Sequence, residues 1–300
     1  MRRLLALSAV LLVGLSGTVR AESVRHVVLV GIDGWGSFSL EKAHDIPNIR
    51  YLMTNGCYTL KDRAVLPSSS AVNWASMFMG APPEMHGYTQ WNSCTPEIPS
   101  ACVGRQGIYP TVFEVIREQM PEAETGCFYE WGGIAPLVGT NAISRVRQGA
   151  NGEAPAYIRE RRPTFVAVCF DGVDHAGHTK GFGSPEYYEA LAQVDRQVGA
   201  IRRAVAETGM ESSTVIVVTA DHGGTGKNHG GKTLQEMEIP FVVWGANIKR
   251  GEVIKDTMVQ YDCAATVAAL LGLKRPQCWR GLPAESAFRA RIDRADKTVQ

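Results

Sequence analysis

Three stretches of the chain hold carboxylates and imidazoles that could bind metal ions. Asp33 follows the apolar run Val24–Ile32. Asp174 and His178 lie in Asp174-His175-Ala176-Gly177-His178, just past the apolar run Thr164–Phe170. Asp221, His222 and His229 lie in Thr214–Gly231, which reads TVIVVTADHGGTGKNHGG. Three carboxylates gathered at one place repel one another unless cations sit between them, and the imidazoles supply the further donors such cations need. Mixed Asp and His ligation suits zinc first, and manganese and iron also fit. Taken singly, each residue reads more simply as a hydrogen-bonded core histidine or a turn aspartate. The signal is the set, placed at the ends of apolar strands.

A candidate nucleophile lies in Pro67-Ser68-Ser69-Ser70-Ala71-Val72-Asn73-Trp74. This segment reads as a turn entering a helix that Gly80 and Pro82-Pro83 stop. A hydroxyl at a helix N-terminus faces free N–H groups and partial positive charge, which favours an alkoxide and an anionic substrate. The same serines could equally be an N-cap and a turn. Residue type alone does not choose among the three.

The elements that must position these groups follow from periodicity. Strands are expected at 24–32, 57–65, 124–129, 164–170, 214–219 and 240–244, and helices at 47–55, 111–118, 184–207 and 262–271. The 184–207 helix has the clearest signals: Ser184-Pro185-Glu186 opens it, and Tyr188, Leu191, Val194, Val198, Ile201 and Val205 repeat at helical spacing. The Asp174–His178 stretch is read as a glycine turn. Residues 87–110 read as a surface loop, and 131–154 take no clear assignment. Strands alternating with helices give an α/β fold, a mostly parallel central sheet sandwiched between helices. In such sheets ligands bind outside the carboxyl ends of the strands, which is where Asp33, Asp174 and Asp221 fall.

Composition excludes some partners. Of 300 residues, 45% are apolar and 20% charged, with a net charge of +1; this is ordinary for an enzyme-sized globular protein and offers no basic footprint for nucleic acid. Residues 1–21 read as a signal peptide: Arg2-Arg3, the apolar run Leu4–Leu15, and Val19-Arg20-Ala21 as a cleavage site. The apolar run is shorter than the ~20 residues a membrane span needs. A single hydrolase domain over 22–300 is therefore expected, exported to a periplasm or the cell exterior. The seven cysteines include no C-x-x-C pair, which argues against a cysteine zinc site. In an oxidising compartment some should be bridged; Cys94–Cys102 and Cys263–Cys278 are the expected pairs, and Cys169, inside a buried strand, is expected to be a core residue.

Together these motifs resemble the alkaline phosphatase superfamily, and within it the nucleotide pyrophosphatase/phosphodiesterase branch. The resemblance runs in motif order through Asp33-Gly34, Pro67…Ser70…Asn73, Pro83-Glu84-Met85-His86-Gly87, Asp174…His178, Asp221-His222-Gly223 and Asn228-His229-Gly230. It singles out Ser70 as nucleophile and implies two divalent metals. One would be held by Asp174, His178 and His229, the other by Asp33, Asp221, His222 and the Ser70 oxygen. Asn73 would donate to a phosphoryl oxygen, and a phosphoseryl intermediate would form and hydrolyse. His175 and His86 have no metal role in that scheme. Lys227 and Lys232 match no family position and read as solvated lysines.

Within the superfamily, sulfatases carry Cys/Ser-x-Pro-x-Arg at the nucleophile, which Ser68–Val72 lacks. Alkaline phosphatases commonly follow the nucleophile with an Arg that grips two phosphate oxygens, and Ala71 stands there instead. The expectation is a hydrolase of phosphodiesters or pyrophosphates, with a monoesterase and a non-catalytic metal-bound binding protein as alternatives. The short 92–162 segment implies a small or absent cap, and Trp74, Tyr88 and Trp91 are candidates to stack on a base or leaving group, although each could equally pack into the fold.

Overall fold

The computed structural model describes residues 23–290; the expected signal peptide lies outside them. Its centre is an eight-stranded sheet made of β1 (His26–Ile32), β2 (Cys57–Arg63), β3 (Thr125–Tyr129), β4 (Arg145–Gln148), β5 (Phe165–Phe170), β6 (Thr214–Ala220), β7 (Glu238–Gly245) and β8 (Glu252–Val253), in the order β4-β3-β5-β1-β6-β7-β2-β8. All pairings are parallel except those β7 makes with β6 and β2.

The two faces are built by strict alternation. From β1, Val27 and Leu29 enter one core layer, and Val28, Val30 and Ile32 the other; from β6, Val215 and Val217 part from Ile216, Val218 and Ala220 in the same way. The first layer is covered by the helices Ser70–Met79, Val112–Gln119 and Asp262–Leu270, the second by Pro47–Asn55, Ala154–Arg161 and Pro185–Glu207. A strand buried on both faces has no polar side to give away, so β1, β5 and β6 read as nearly unbroken apolar runs. Every residue of β5 and β6 is buried.

Register sets the site. Ile32 of β1 lies beside Phe170 of β5 and Ala220 of β6, so the three central strands end level and the chain leaves all of them at one edge.

Two expectations are corrected here. The Asp174–His178 stretch is no turn but part of a helix, Gly172–Lys180. Gly177 is tolerated inside that helix because the Phe182 ring packs where its side chain would be. The expected disulfide pairs are also not formed: all seven cysteines are free thiols. Cys263 is buried in the core on the Asp262–Leu270 helix, and the Cys94 thiol donates to the Asn92 carbonyl. Cys278 instead neighbours Cys102, both lining one cleft. Among the described residues no helix is long and apolar enough to cross a membrane.

Candidate active site

The level strand ends bring the acids together. Asp33 continues directly from β1, its N–H donating to the Phe170 carbonyl of β5. Asp221 continues from β6 and accepts through Oδ1 from the N–H groups of Gly34 (3.0 Å) and His222 (2.8 Å). Asp174 sits in the first turn of the helix that follows β5. Gly34 permits this crowding: its φ is +73°, and a Cβ there would lie 2.9 Å from Asp174 Cα.

The donor set fits metal ions on three observations. First, Asp33 Oδ1, Asp221 Oδ2 and Asp174 Oδ1 are buried and have no hydrogen-bond partner among the described residues. Buried carboxylate oxygens left bare at one place are costly unless a cation satisfies them. Second, the three imidazoles each face a backbone carbonyl through Nδ1: His222 to Gly223 (2.9 Å), His229 to Ser68 (3.1 Å) and His178 to Lys227 (2.8 Å). A carbonyl only accepts, so each Nδ1 carries the hydrogen, and in its neutral form each ring offers a bare Nε2, the tautomer of a metal ligand. Third, those Nε2 atoms converge. His222 Nε2 lies 3.5 Å from Asp33 Oδ1 and 3.3 Å from Asp221 Oδ2. His178 Nε2 lies 3.2 Å from Asp174 Oδ2 and 3.1 Å from His229 Nε2, while His229 Nε2 is 3.8 Å from Asp174 Oδ1. Two bare Nε2 lone pairs at 3.1 Å repel unless a cation or proton lies between them.

Metal-capable geometry appears as two overlapping groups, Asp33–Asp221–His222 and Asp174–His222–His229. His222 is shared because its ring stacks on that of His229 with centroids 3.8 Å apart. His178, on the rim, is brought in by its contacts to Asp174 and His229.

The electrostatics express the same crowding. Burial, then the charges of Asp221 and Asp174, pushes Asp33 well above the usual carboxylate range. Burial, then Asp174, does the same to Asp221. Asp174 is raised by burial, against the pull of His229 and His178. His222 is driven well below the ordinary imidazole value by burial and then by His229, and burial lowers His229 against the pull of Asp174.

The structure separates the three serines. Ser68 Oγ donates to the Gly231 carbonyl (2.6 Å) and accepts from the Gly230 N–H (3.2 Å), latching the glycine loop to the nucleophile turn. Ser69 is the helix N-cap residue, yet its buried hydroxyl makes no capping bond. Ser70 is the first residue of the Ser70–Met79 helix, and its Oγ lies 3.2 Å from His222 Nε2.

Asn73 is placed differently from its expected role. It is fully buried. Its Oδ1 accepts from the Val65 N–H (2.7 Å), and its Nδ2 donates to the carbonyls of Ser69 (3.0 Å), Pro67 (3.1 Å) and Val65 (3.3 Å). Both amide hydrogens are spent on the loop that carries Ser70, which leaves none for a phosphoryl oxygen in this arrangement.

The remaining candidates divide between core and rim. Trp74 is buried and donates through Nε1 to Asp33 Oδ2 (3.1 Å), so it orients a carboxylate rather than stacking on substrate. Tyr88 is buried. Trp91 is 59% exposed, and its carbonyl accepts from the Ala71 N–H at 3.0 Å, which sets it beside the nucleophile. Lys227 is turned away, its ammonium donating to the Thr179 carbonyl (2.8 Å). His175 is exposed. His86 is buried between Ser76 Oγ and the Tyr88 N–H.

Two positioning residues escaped the sequence reading. Glu236 accepts from the N–H groups of Gly231 (2.8 Å) and Thr233 (3.1 Å) and so shapes the loop behind His229; the Thr233-x-x-Glu236 capping-box pattern was the signal for it. Tyr187 accepts from the Gly36 N–H and donates to the Gly34 carbonyl, fixing the turn after β1. Nothing in its local sequence marks it.

This geometry agrees with what the chain is similar to. The sequence profile of the type I phosphodiesterase / nucleotide pyrophosphatase family matches residues 27–107 and 136–238. The protein belongs to that family, in the nucleotide pyrophosphatase/phosphodiesterase-like branch of the alkaline phosphatase superfamily. Among curated relatives, venom phosphodiesterase 2 of Crotalus adamanteus is 22% identical over 237 residues, covering 66% of this chain and 26% of its own length. Ectonucleotide pyrophosphatase/phosphodiesterase family member 1 of Mus musculus is 23% identical over 218 residues, covering 65% and 24%. The chain thus spans about a quarter of the length of these relatives. Among solved structures, an inactive murine ectonucleotide pyrophosphatase/phosphodiesterase 5 in complex with AMP superposes with TM-score 0.68 at 15% identity, over 84% of this chain and 96% of that one. A 2-O GAG sulfatase superposes with TM-score 0.65 at 14% identity, over 87% and 73%. These likenesses carry the fold.

Proposed function

We propose that this protein is a hydrolase of phosphodiester or pyrophosphate bonds in nucleotide-type small molecules. It uses two divalent ions, zinc foremost, and forms a phosphoseryl intermediate on Ser70. The observation that carries this reading is the Ser70 hydroxyl at a helix N-terminus, 3.2 Å from His222 Nε2, at the edge of three carboxylates that each leave an oxygen bare.

Asp174, His178 and His229 would hold one ion, and Asp33, Asp221 and His222 the other with the Ser70 oxygen. Such ions supply positive charge that eases deprotonation of a hydroxyl and neutralises developing negative charge on phosphoryl oxygens. The chain's own residues do the rest. The helix N-terminus aims Ser70 Oγ and offers partial positive charge to an anionic phosphoryl group. Ser70 Oγ attacks phosphorus, the bond to the leaving oxygen breaks, and water then cleaves the phosphoseryl ester and frees Ser70. Trp91 lines the rim beside this centre, where a base or an aromatic leaving group could rest on it. Ala71 provides no guanidinium grip for a terminal phosphate, which favours diesters over monoesters. The nucleophile turn likewise lacks the Cys/Ser-x-Pro-x-Arg sequence of sulfatases, although a sulfatase shares the fold. Residues 1–21 as a signal peptide would deliver the enzyme to a periplasm or the cell exterior, where its substrates would be small phosphate esters.

The test is a paired rate comparison on the zinc-loaded protein, with bis-p-nitrophenyl phosphate against p-nitrophenyl phosphate. A kcat/KM at least about tenfold higher for the diester supports the reading. A ratio below one makes the protein a monoesterase, and no metal-dependent turnover on either removes the assignment.

A further inference from the structure

Cys102 and Cys278 lie far apart in sequence, yet they are neighbours in the folded protein, both lining one cleft and both near the Tyr109 hydroxyl. That cleft is open, bordered by the 101–105 loop and the 276–280 segment. Neither is deeply buried, so a soluble oxidant can reach them.

The backbone around the pair is already fixed. On the Cys102 side, the Ala101 N–H donates to the Met85 carbonyl and the Gly104 N–H to the Ile108 carbonyl. Glu114 holds the next turn by accepting from the Arg105 N–H at 2.7 Å. On the Cys278 side, the Tyr109 hydroxyl donates to the Cys278 carbonyl (2.5 Å), and Trp279 Nε1 donates to the Pro110 carbonyl (2.8 Å). The Arg280 and Gly281 N–H groups both close on the Gly80 carbonyl. The 278–281 segment is thus held to Tyr109, Pro110 and Gly80, and the Cys102 loop to Met85, Ile108 and Glu114, so the backbone on both sides of the cleft is fixed. The other cysteines lack this combination of proximity and access: Cys57, Cys127, Cys169 and Cys263 are buried, and Cys94 is engaged with the Asn92 carbonyl.

We propose that Cys102 and Cys278 form a disulfide in the mature protein, tethering the 87–110 loop, which carries Trp91, to the C-terminal segment. The oxidant is a disulfide compound such as glutathione disulfide or a protein thiol–disulfide oxidoreductase. One thiolate attacks a sulfur of the oxidant and displaces its other sulfur as a thiol; the second cysteine's thiolate then attacks the protein sulfur of the mixed disulfide and displaces the remaining oxidant sulfur as a second thiol. The two cysteine thiols lose two protons and two electrons, and the oxidant's disulfide becomes two thiols. Burial, and then its neighbour Cys102, pushes the Cys278 thiol up to about 11. A bond closing so long a loop acts mainly by limiting the unfolded chain.

The experiment uses the full chain expressed with its leader and purified without reductant. The protein is alkylated under denaturing conditions, digested, and mapped by non-reducing mass spectrometry. A linked Cys102–Cys278 peptide is expected, with the other five cysteines alkylated. Dithiothreitol should lower Tm by roughly 5 °C in the wild-type protein and leave Cys102→Ser and Cys278→Ser unchanged. If a serine variant does not fold, the wild-type map and its response to reductant decide the matter. Both cysteines recovered alkylated, or Cys102 linked to Cys94, overturns the proposal. The readouts are independent of turnover, so they stand whatever the rate comparison gives.

Discussion

His222 Nε2 lies 3.2 Å from Ser70 Oγ while Nδ1 of the same ring is committed to the Gly223 carbonyl. The ring therefore presents a bare lone pair to the hydroxyl, and no other side chain hydrogen-bonds Ser70 Oγ among the described residues. Replacing Ser70 with Ala removes the nucleophile and leaves both aspartate–histidine groups intact. Turnover should fall at least about a thousandfold, with metal content unchanged by elemental analysis. Activity within tenfold of wild type would move the nucleophile elsewhere.

Asp221 supplies a prediction whose sign depends on metal. Its Oδ1 accepts from two backbone N–H groups, while Oδ2 is bare. An Asn can keep the Oδ1 bonds and removes a buried negative charge that faces Asp174. In chelator, Asp221→Asn should melt at or above wild type. With zinc at about one hundred times its Kd, wild type should gain roughly 2.7 kcal/mol and the variant much less. The order of the two melting temperatures should therefore reverse on adding zinc. A variant less stable in both conditions would show that Asp221 is structural rather than a ligand.

The sheet and the acid cluster were legible because a strand buried on both faces must be apolar throughout, and the residue after it must be where the chain turns. Asp33 and Asp221 could hardly lie elsewhere. The Gly172–Lys180 helix was less legible, since Gly177 reads locally as a break and only the i,i+4 spacing of Asp174 and His178 favours a helix. Cysteine pairing failed for a different reason. Proximity in sequence suggested Cys94–Cys102 and Cys263–Cys278, whereas Cys102 and Cys278 are made neighbours by tertiary packing of the C-terminal segment. Asn73 shows a further ambiguity: an amide three residues past a nucleophile can face substrate or backbone, and its residue type fits both.

His86 gives a pH dependence independent of metal. Burial lowers it to about 3, from an unfolded value near 6.5. The neutral ring accepts from the Tyr88 N–H at Nδ1 and donates to Ser76 Oγ from Nε2, so protonation would set two donors against each other. Glu97 is the acidic group that opposes the shift. Between those pH values the unfolded chain binds a proton that the folded chain does not, so stability falls as pH falls through that window and the contribution is complete above it. The slope is about 1.4 kcal/mol per pH unit. His86→Gln should be less stable than wild type at pH 7.5, but the gap should narrow at that slope below pH 6.5. Urea titrations of both proteins at pH 7.5 and 5 measure it, and a constant gap would show that His86 does not titrate on unfolding.

Asn73 separates loop-building from substrate contact. Its carboxamide joins Val65, Pro67 and Ser69, the residues leading into Ser70. Truncation to Ala leaves a buried N–H and three carbonyls short of a partner, at a cost of roughly 1–3 kcal/mol or more. Asn73→Ala should therefore lower Tm by several degrees in metal-free and metal-loaded protein alike, because the loop is built without metal. Its kcat should fall too, since Ser70 Oγ loses its fixed position, while KM should change little. A pure phosphoryl-oxygen donor predicts the opposite pairing: an unchanged Tm with a loss confined to turnover. Thermal melts with and without chelator, read beside the two kinetic constants, distinguish the roles, and an unshifted Tm would return Asn73 to the substrate.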